Sequence, residues 1–109
     1  MNTHNILEID ITSLKKRMDA DSSLCLIDVR EDHEWNKSHI ASAIHIPKDQ
    51  VSANISLYAP QLNTPIYLYC HAGTRSLYAA KCLQELGYSD LYSVAGGIAA
   101  WEKAGYNLL

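Results

Sequence analysis

Residues 65–76 read Pro65-Ile66-Tyr67-Leu68-Tyr69-Cys70-His71-Ala72-Gly73-Thr74-Arg75-Ser76, and this stretch decides the fold. Ile66 to Tyr69 is a run of strand-favouring residues opened by a proline. Cys70 ends the strand and opens a glycine-containing loop. Beyond the loop, Ala79, Cys82, Leu83 and Leu86 recur at helical spacing, with Lys81, Gln84 and Glu85 on the wet side. Gly87 then ends the helix as a left-handed cap. Strand, loop and helix in this order form the unit from which a mainly parallel α/β sheet is built.

Both flanks repeat the alternation. Downstream, Leu91 to Val94 reads as a last strand, Gly96-Gly97 as a tight turn, and Ile98 to Ala104 as a helix stopped by Gly105. Upstream, Leu24 to Val29 is an apolar run broken only by Asp28, as expected of a strand covered on both faces. Glu31, Asp32 and Glu34 favour the first turn of a helix whose core anchor is Trp35. Ile44 to Ile46 is a short strand stopped by Pro47, and Lys48 to Ala59 is read as a further helix. Ile6 to Ile11 is the first strand. Thr12 or Ser13 is expected to cap a helix with Leu14 and Met18 on one face.

The 109 residues suffice for one compact domain, so residues 1–109 are read as a single unit. Apolar residues make up 48% and charged residues 19%, which places the chain among globular rather than disordered sequences. The net charge is -3, and the densest basic cluster is Lys15-Lys16-Arg17, too little for a nucleic-acid partner. No stretch reads as a membrane segment, and residues 1–10 lack a signal-peptide pattern. Three cysteines without a C-x-x-C pair argue against a disulfide framework and point to a reducing cytoplasm. His33, His39 and His45 lack the spacing of a metal site, so neither metal nor cofactor is expected.

The chemistry concentrates at Cys70. Ligands of open α/β sheets bind beyond the carboxyl ends of the strands. A loop there converges its amides on one point, and the following helix adds its positive end. A thiol in that position ionises readily, and Arg75 is expected to favour its thiolate. Gly73 permits the tight backbone path. His71, Ala72, Gly73, Thr74, Arg75 and Ser76 are therefore expected to form an anion cradle with Cys70 as nucleophile at its base. His71 is read as an anion-binding or water-facing residue rather than as a base for its neighbour. Cys25 and Cys82 are expected to be structural thiols. Tyr67 and Tyr69 are expected to pack one face of the sheet, and Trp101 the core.

Three segments resemble the rhodanese-like domain family. Leu26-Ile27-Asp28-Val29-Arg30, Glu34-Trp35, His39-Ile40 and Ala43-Ile44-His45-Ile46-Pro47 are similar to its N-terminal signature, residues 70–76 to its active-site loop, and residues 94–101 to its C-terminal signature. The resemblance implies a five-stranded, largely parallel sheet with helices on both faces. It also implies a Cys70 that accepts a sulfane sulfur as a persulfide held by the loop amides, with Asp28 and Arg30 bracing the fold. The donor implied is thiosulfate or a related small molecule, and the acceptor cyanide, a thiol or a protein. Ser38 and Ser42 stand where family members often carry glycine, which bears on the local backbone.

Two other classes share parts of this pattern. Cysteine phosphatases and arsenate reductases place five residues between cysteine and arginine, whereas only His71 to Thr74 lie between Cys70 and Arg75. The shorter ring suits a single sulfur atom better than a tetrahedral oxyanion. A non-catalytic interaction module would not need the cysteine, glycine and arginine kept here. A sulfur-carrier role uses the same chemistry.

Overall fold

The computed structural model describes residues 6–109. Five strands, β1 (Ile6–Ile9), β2 (Cys25–Asp28), β3 (Ile44–His45), β4 (Ile66–Tyr69) and β5 (Leu91–Val94), form one sheet in the order β1-β5-β4-β2-β3. Every pairing is parallel. The central strand is therefore β4, and its carboxyl end delivers Cys70 to the middle of the sheet's edge, where such sheets bind ligands.

Period-two alternation sends successive side chains to opposite faces. Ile66, Leu68 and Cys70 join Ile27, Val29 and Leu91 in one core, while Tyr67 and Tyr69 join Leu26 and Val94 in the other. The first core is covered by Ala79, Ala80 and Leu83 of α4 (Thr74–Glu85) and by Val51 and Ile55. Leu14 of α1 (Ile11–Ala20) and Ile98 and Trp101 of α5 (Gly97–Lys103) cover the second. Helices thus lie on both faces, and both faces of β4 are buried. No helix among the described residues is long and apolar enough to cross a membrane.

Several local expectations are corrected. Helix α1 is capped by Asp10, whose carboxylate accepts the Ser13 amide at 2.8 Å, so Thr12 and Ser13, two and three residues on, lie inside the helix rather than at its cap. Residues 48–59 do not make one helix. They form a 3₁₀ turn (Lys48–Gln50), a single α-turn α3 (Val51–Asn54) and a second 3₁₀ turn (Ile55–Leu57). Val, Ile, Ser and Asn gain little from helix there, and burial of Val51, Ile55 and Ala59 on α4 fixes the path instead. The buried seam of α4 runs through Ser76, Ala79, Ala80 and Leu83, leaving Leu86 exposed and Cys82 half-buried. Ser76 sets this rotation because its hydroxyl faces Cys70. Cys25 is half-buried too, since it opens β2. Trp35 belongs to α2 (Asp32–Lys37), which has no fully buried residue. Its ring is stacked with those of His39 at 3.6 Å and His45 at 4.9 Å.

Candidate active site

The strand places Cys70 and the backbone after it folds back over the sulfur. The Gly73 amide donates to Cys70 Sγ at 3.1 Å and the Ser76 amide at 3.4 Å. Ser76 Oγ lies 3.7 Å from the same sulfur. Gly73 makes the turn at φ +117°, a left-handed conformation, and its carbonyl starts the first turn of α4. The sulfur thus sits at the amino end of a twelve-residue helix, where amides and dipole both favour negative charge.

Two opposing effects act on the thiol. Cys70 is only 1% exposed, and that burial pushes its pKa up. The Ser76 amide and hydroxyl, with the amides of Gly73 and Ala72, pull it down, and the balance lies below the ordinary thiol value. Cys25 has burial without such donors, so its thiol is pushed up. The two environments act in opposite directions, one favouring the thiolate and the other the neutral thiol.

A second helix holds the loop from behind. The Ile98 amide donates to the Cys70 carbonyl at 2.9 Å and the Ala99 amide to the His71 carbonyl at 3.1 Å. Gly97 makes this approach possible. It has φ +56°, and a Cβ there would run into the Cys70 and His71 carbonyl oxygens. The Gly96-Gly97 turn is therefore the loop's buttress.

The remaining loop residues are placed as follows. The side chains of His71, Ala72 and Thr74 face solvent. His71 stands on the rim of a recess of about 320 Å³ that Arg30, Glu34, Lys37 and Ser38 also line. Arg75 turns from the loop toward α2. Its guanidinium forks onto Glu34, Nη1 to Oε1 at 2.7 Å and Nη2 to Oε2 at 3.0 Å, rather than hydrogen-bonding the sulfur. Glu34 Oε1 also accepts the Glu31 amide at 2.9 Å. The Arg75 hydrogen bonds hold the Glu34 carboxyl at about 2. Donation to Cys70 Sγ comes from the Gly73 and Ser76 amides, because the fork fixes the arginine's donors on a carboxylate.

Asp28 and Arg30 form the brace behind the rim. Both are buried, Arg30 Nη2 contacts Asp28 Oδ2 at 2.9 Å, and the same nitrogen donates to the Ser38 carbonyl at 2.7 Å. A buried charge requires such pairing. Two residues of the site escaped the sequence reading. Glu34 was legible as a first-turn acid and as part of the N-terminal signature, but nothing in the chain connects it to a residue 41 positions away. Ser93 lies 2.8 Å from Ser76 Oγ and is fully buried. A serine at an inward position of Leu91–Val94 was its only signal.

The family model for the rhodanese-like domain matches residues 10–104. The chain is a member of the rhodanese-like domain family. This rhodanese-like domain is 36% identical over 102 residues to the putative sulfur carrier protein YrkF of Bacillus subtilis, an alignment covering 92% of the chain and 53% of that protein. The chain thus spans about half of that relative's length. It is 31% identical over 81 residues to the thiosulfate sulfurtransferase GlpE of Tolumonas auensis, covering 72% of this chain and 73% of that one. A rhodanese-like domain protein from Staphylococcus aureus superposes with a TM-score of 0.78 at 29% identity, covering 87% of this chain and 90% of the other. The five-stranded parallel architecture of this rhodanese-like domain accords with that match.

Proposed function

We propose that this rhodanese-like domain is a sulfurtransferase that carries sulfur as a persulfide on Cys70. The observation that carries the reading is the convergence of the Gly73 and Ser76 amides on Cys70 Sγ, at 3.1 and 3.4 Å. In the first half-reaction the Cys70 thiolate attacks the outer sulfur of thiosulfate or a related donor. The new S–S bond forms as the donor's S–S bond breaks, and sulfite leaves with the bonding electrons. In the second, a thiophilic acceptor attacks the outer sulfur and the Cys70 thiolate departs. Cyanide serves as acceptor in an assay, and a thiol or protein in the cell, which we take to be the cytoplasm.

His71, Ala72, Gly73, Thr74, Arg75 and Ser76 make up the substrate-binding loop in this reading. The amides of residues 72, 73 and 76 favour the thiolate, and His71 stands at the rim where the donor enters. The named activity of the GlpE relative supports thiosulfate as donor. The name of the YrkF relative supports a protein acceptor, in which case the same persulfide is handed on by contact.

The test is intact mass after thiosulfate treatment. The parent gains one sulfur atom, removed by a thiol reductant. Cys70→Ser gains none, whereas Cys25→Ser and Cys82→Ser behave as the parent. A folded Cys70→Ser protein that still gains sulfur, or turns over thiosulfate with cyanide, overturns the reading.

A further inference from the structure

Behind Cys70 lies a second buried hydroxyl that the two half-reactions leave unused. Ser76 Oγ lies 3.7 Å from Cys70 Sγ, 3.1 Å from the Gly73 carbonyl oxygen and 2.8 Å from Ser93 Oγ. Ser76 and Ser93 are both fully buried, and Ser93 comes from β5, the strand beside β4. A serine hydroxyl has one proton to give and two lone pairs to receive. If Ser76 gave its proton to Ser93, it would have none for the carbonyl or the sulfur. With Ser93 as donor, the Ser76 proton is free for one or the other of those acceptors, which lie on the loop.

We propose that Ser93 is a positioning residue that donates to Ser76 Oγ and so directs the Ser76 hydroxyl proton at Cys70 Sγ whenever the sulfur is anionic. The inference rests on the reading of Cys70 as the reactive thiol. In the neutral thiol, Cys70 donates toward Ser76 Oγ and Ser76 donates to the Gly73 carbonyl. On ionisation the thiol proton leaves to solvent, and Ser76 turns its own proton from the carbonyl to the sulfur. Ser93 stays the donor in both states, so the rotation leaves no buried hydroxyl unpartnered. Chains of such bonds polarise one another in a low-dielectric interior, which strengthens the final donation.

The experiment measures the pH dependence of Cys70 alkylation by iodoacetamide, read at the Cys70 peptide by mass. Ser93→Ala shifts the profile upward by on the order of half a pH unit, the size expected for loss of one supporting hydrogen bond. Ser93→Thr, which keeps the hydroxyl, restores the parent profile. Ser93→Cys keeps the volume with a weaker donor and gives a smaller upward shift, so the question is answered even if the alanine variant does not fold. In a Ser76→Ala background, Ser93→Ala adds no further shift, because its effect passes through Ser76. An unshifted profile in the Ser93 variants, or an equal shift with and without the Ser76 hydroxyl, overturns the proposal. Alkylation needs no sulfur donor, so this result is independent of whether a persulfide forms.

Discussion

Glu34 of α2 and Arg75 of α4 meet as a two-point fork, at 2.7 and 3.0 Å, on the rim of the Cys70 loop. Arg75 therefore brings little net positive charge to an incoming anion, because the carboxylate travels with it. Replacing Glu34 by Gln should lower KM for thiosulfate by freeing that charge. Arg75→Ala should do the reverse, leaving an unpaired carboxylate at the entrance. Steady-state kinetics at low ionic strength reads both, since screening weakens such effects. An unchanged KM in both variants would remove the pair from substrate attraction.

The same pair gives a pH signature in stability. The Glu34 carboxyl is held at about 2 against an ordinary value of 4.5. A depressed carboxylate stabilises the fold fully above its unfolded value and loses that contribution as pH falls toward its folded one. The parent should exceed Glu34→Gln in unfolding free energy by about 1 kcal/mol at neutral pH, as for a partly exposed ion pair. The gap should close as pH drops below 4.5. A gap constant across that range contradicts the assignment.

Gly97→Ala should damage the loop without touching Cys70. The added Cβ meets the Cys70 and His71 carbonyls, and φ +56° is itself costly for alanine. Left-handed strain alone costs about 1–2 kcal/mol, and the backbone collision adds to it. Chemical denaturation should show a loss above about 2 kcal/mol, and the folded fraction should form little persulfide. Parent-like stability would mean the buttress is not as rigid as its hydrogen bonds imply.

Ser42→Gly should stabilise the domain. Ser42 adopts φ +75°, alone among the described non-glycine residues. Relief of about 1–2 kcal/mol of left-handed strain outweighs about 0.5–1 kcal/mol of added glycine entropy, for a net gain of about 0.5 kcal/mol. Ser38 has φ -170°, extended backbone that any residue adopts, so Ser38→Gly should bring no such gain. Paired thermal unfolding of the two variants decides the matter.

One glycine inserted between Gly73 and Thr74 should abolish sulfur uptake. It would carry the Ser76 amide away from Sγ, and preorganised donors lose most of their effect when displaced by about 1 Å. Paired assays of thiosulfate–cyanide transfer and aryl-phosphate hydrolysis check the result. If the parent hydrolyses aryl phosphate readily and forms no persulfide, the four-residue spacing does not favour sulfur.

The strands β4 and β5, the helix behind the loop and the place of Cys70 were all readable from the chain. Each rests on local information: alternation, helical periodicity, and glycine at a turn. The brace of Asp28 and Arg30 was implied by the family resemblance, and the structure shows the two as a buried pair. What escaped were relations between distant segments. Nothing in residues 48–59 declares that packing against α4 will break a helix into turns. Nothing near Trp35 says that it stacks with two histidines instead of entering the core. Sequence composition around Arg75 advertises a free cation, and only the docking of α2 supplies the Glu34 that neutralises it. Ser93 becomes part of the site because β5 lies beside β4, a neighbour relation set by sheet order. Short-range sterics and patterning therefore determined most of the elements and the position of Cys70 at the end of β4. The charge at the entrance and the hydroxyl behind the sulfur were decided by tertiary packing, because electrostatic and hydrogen-bond partners are chosen by distance in space.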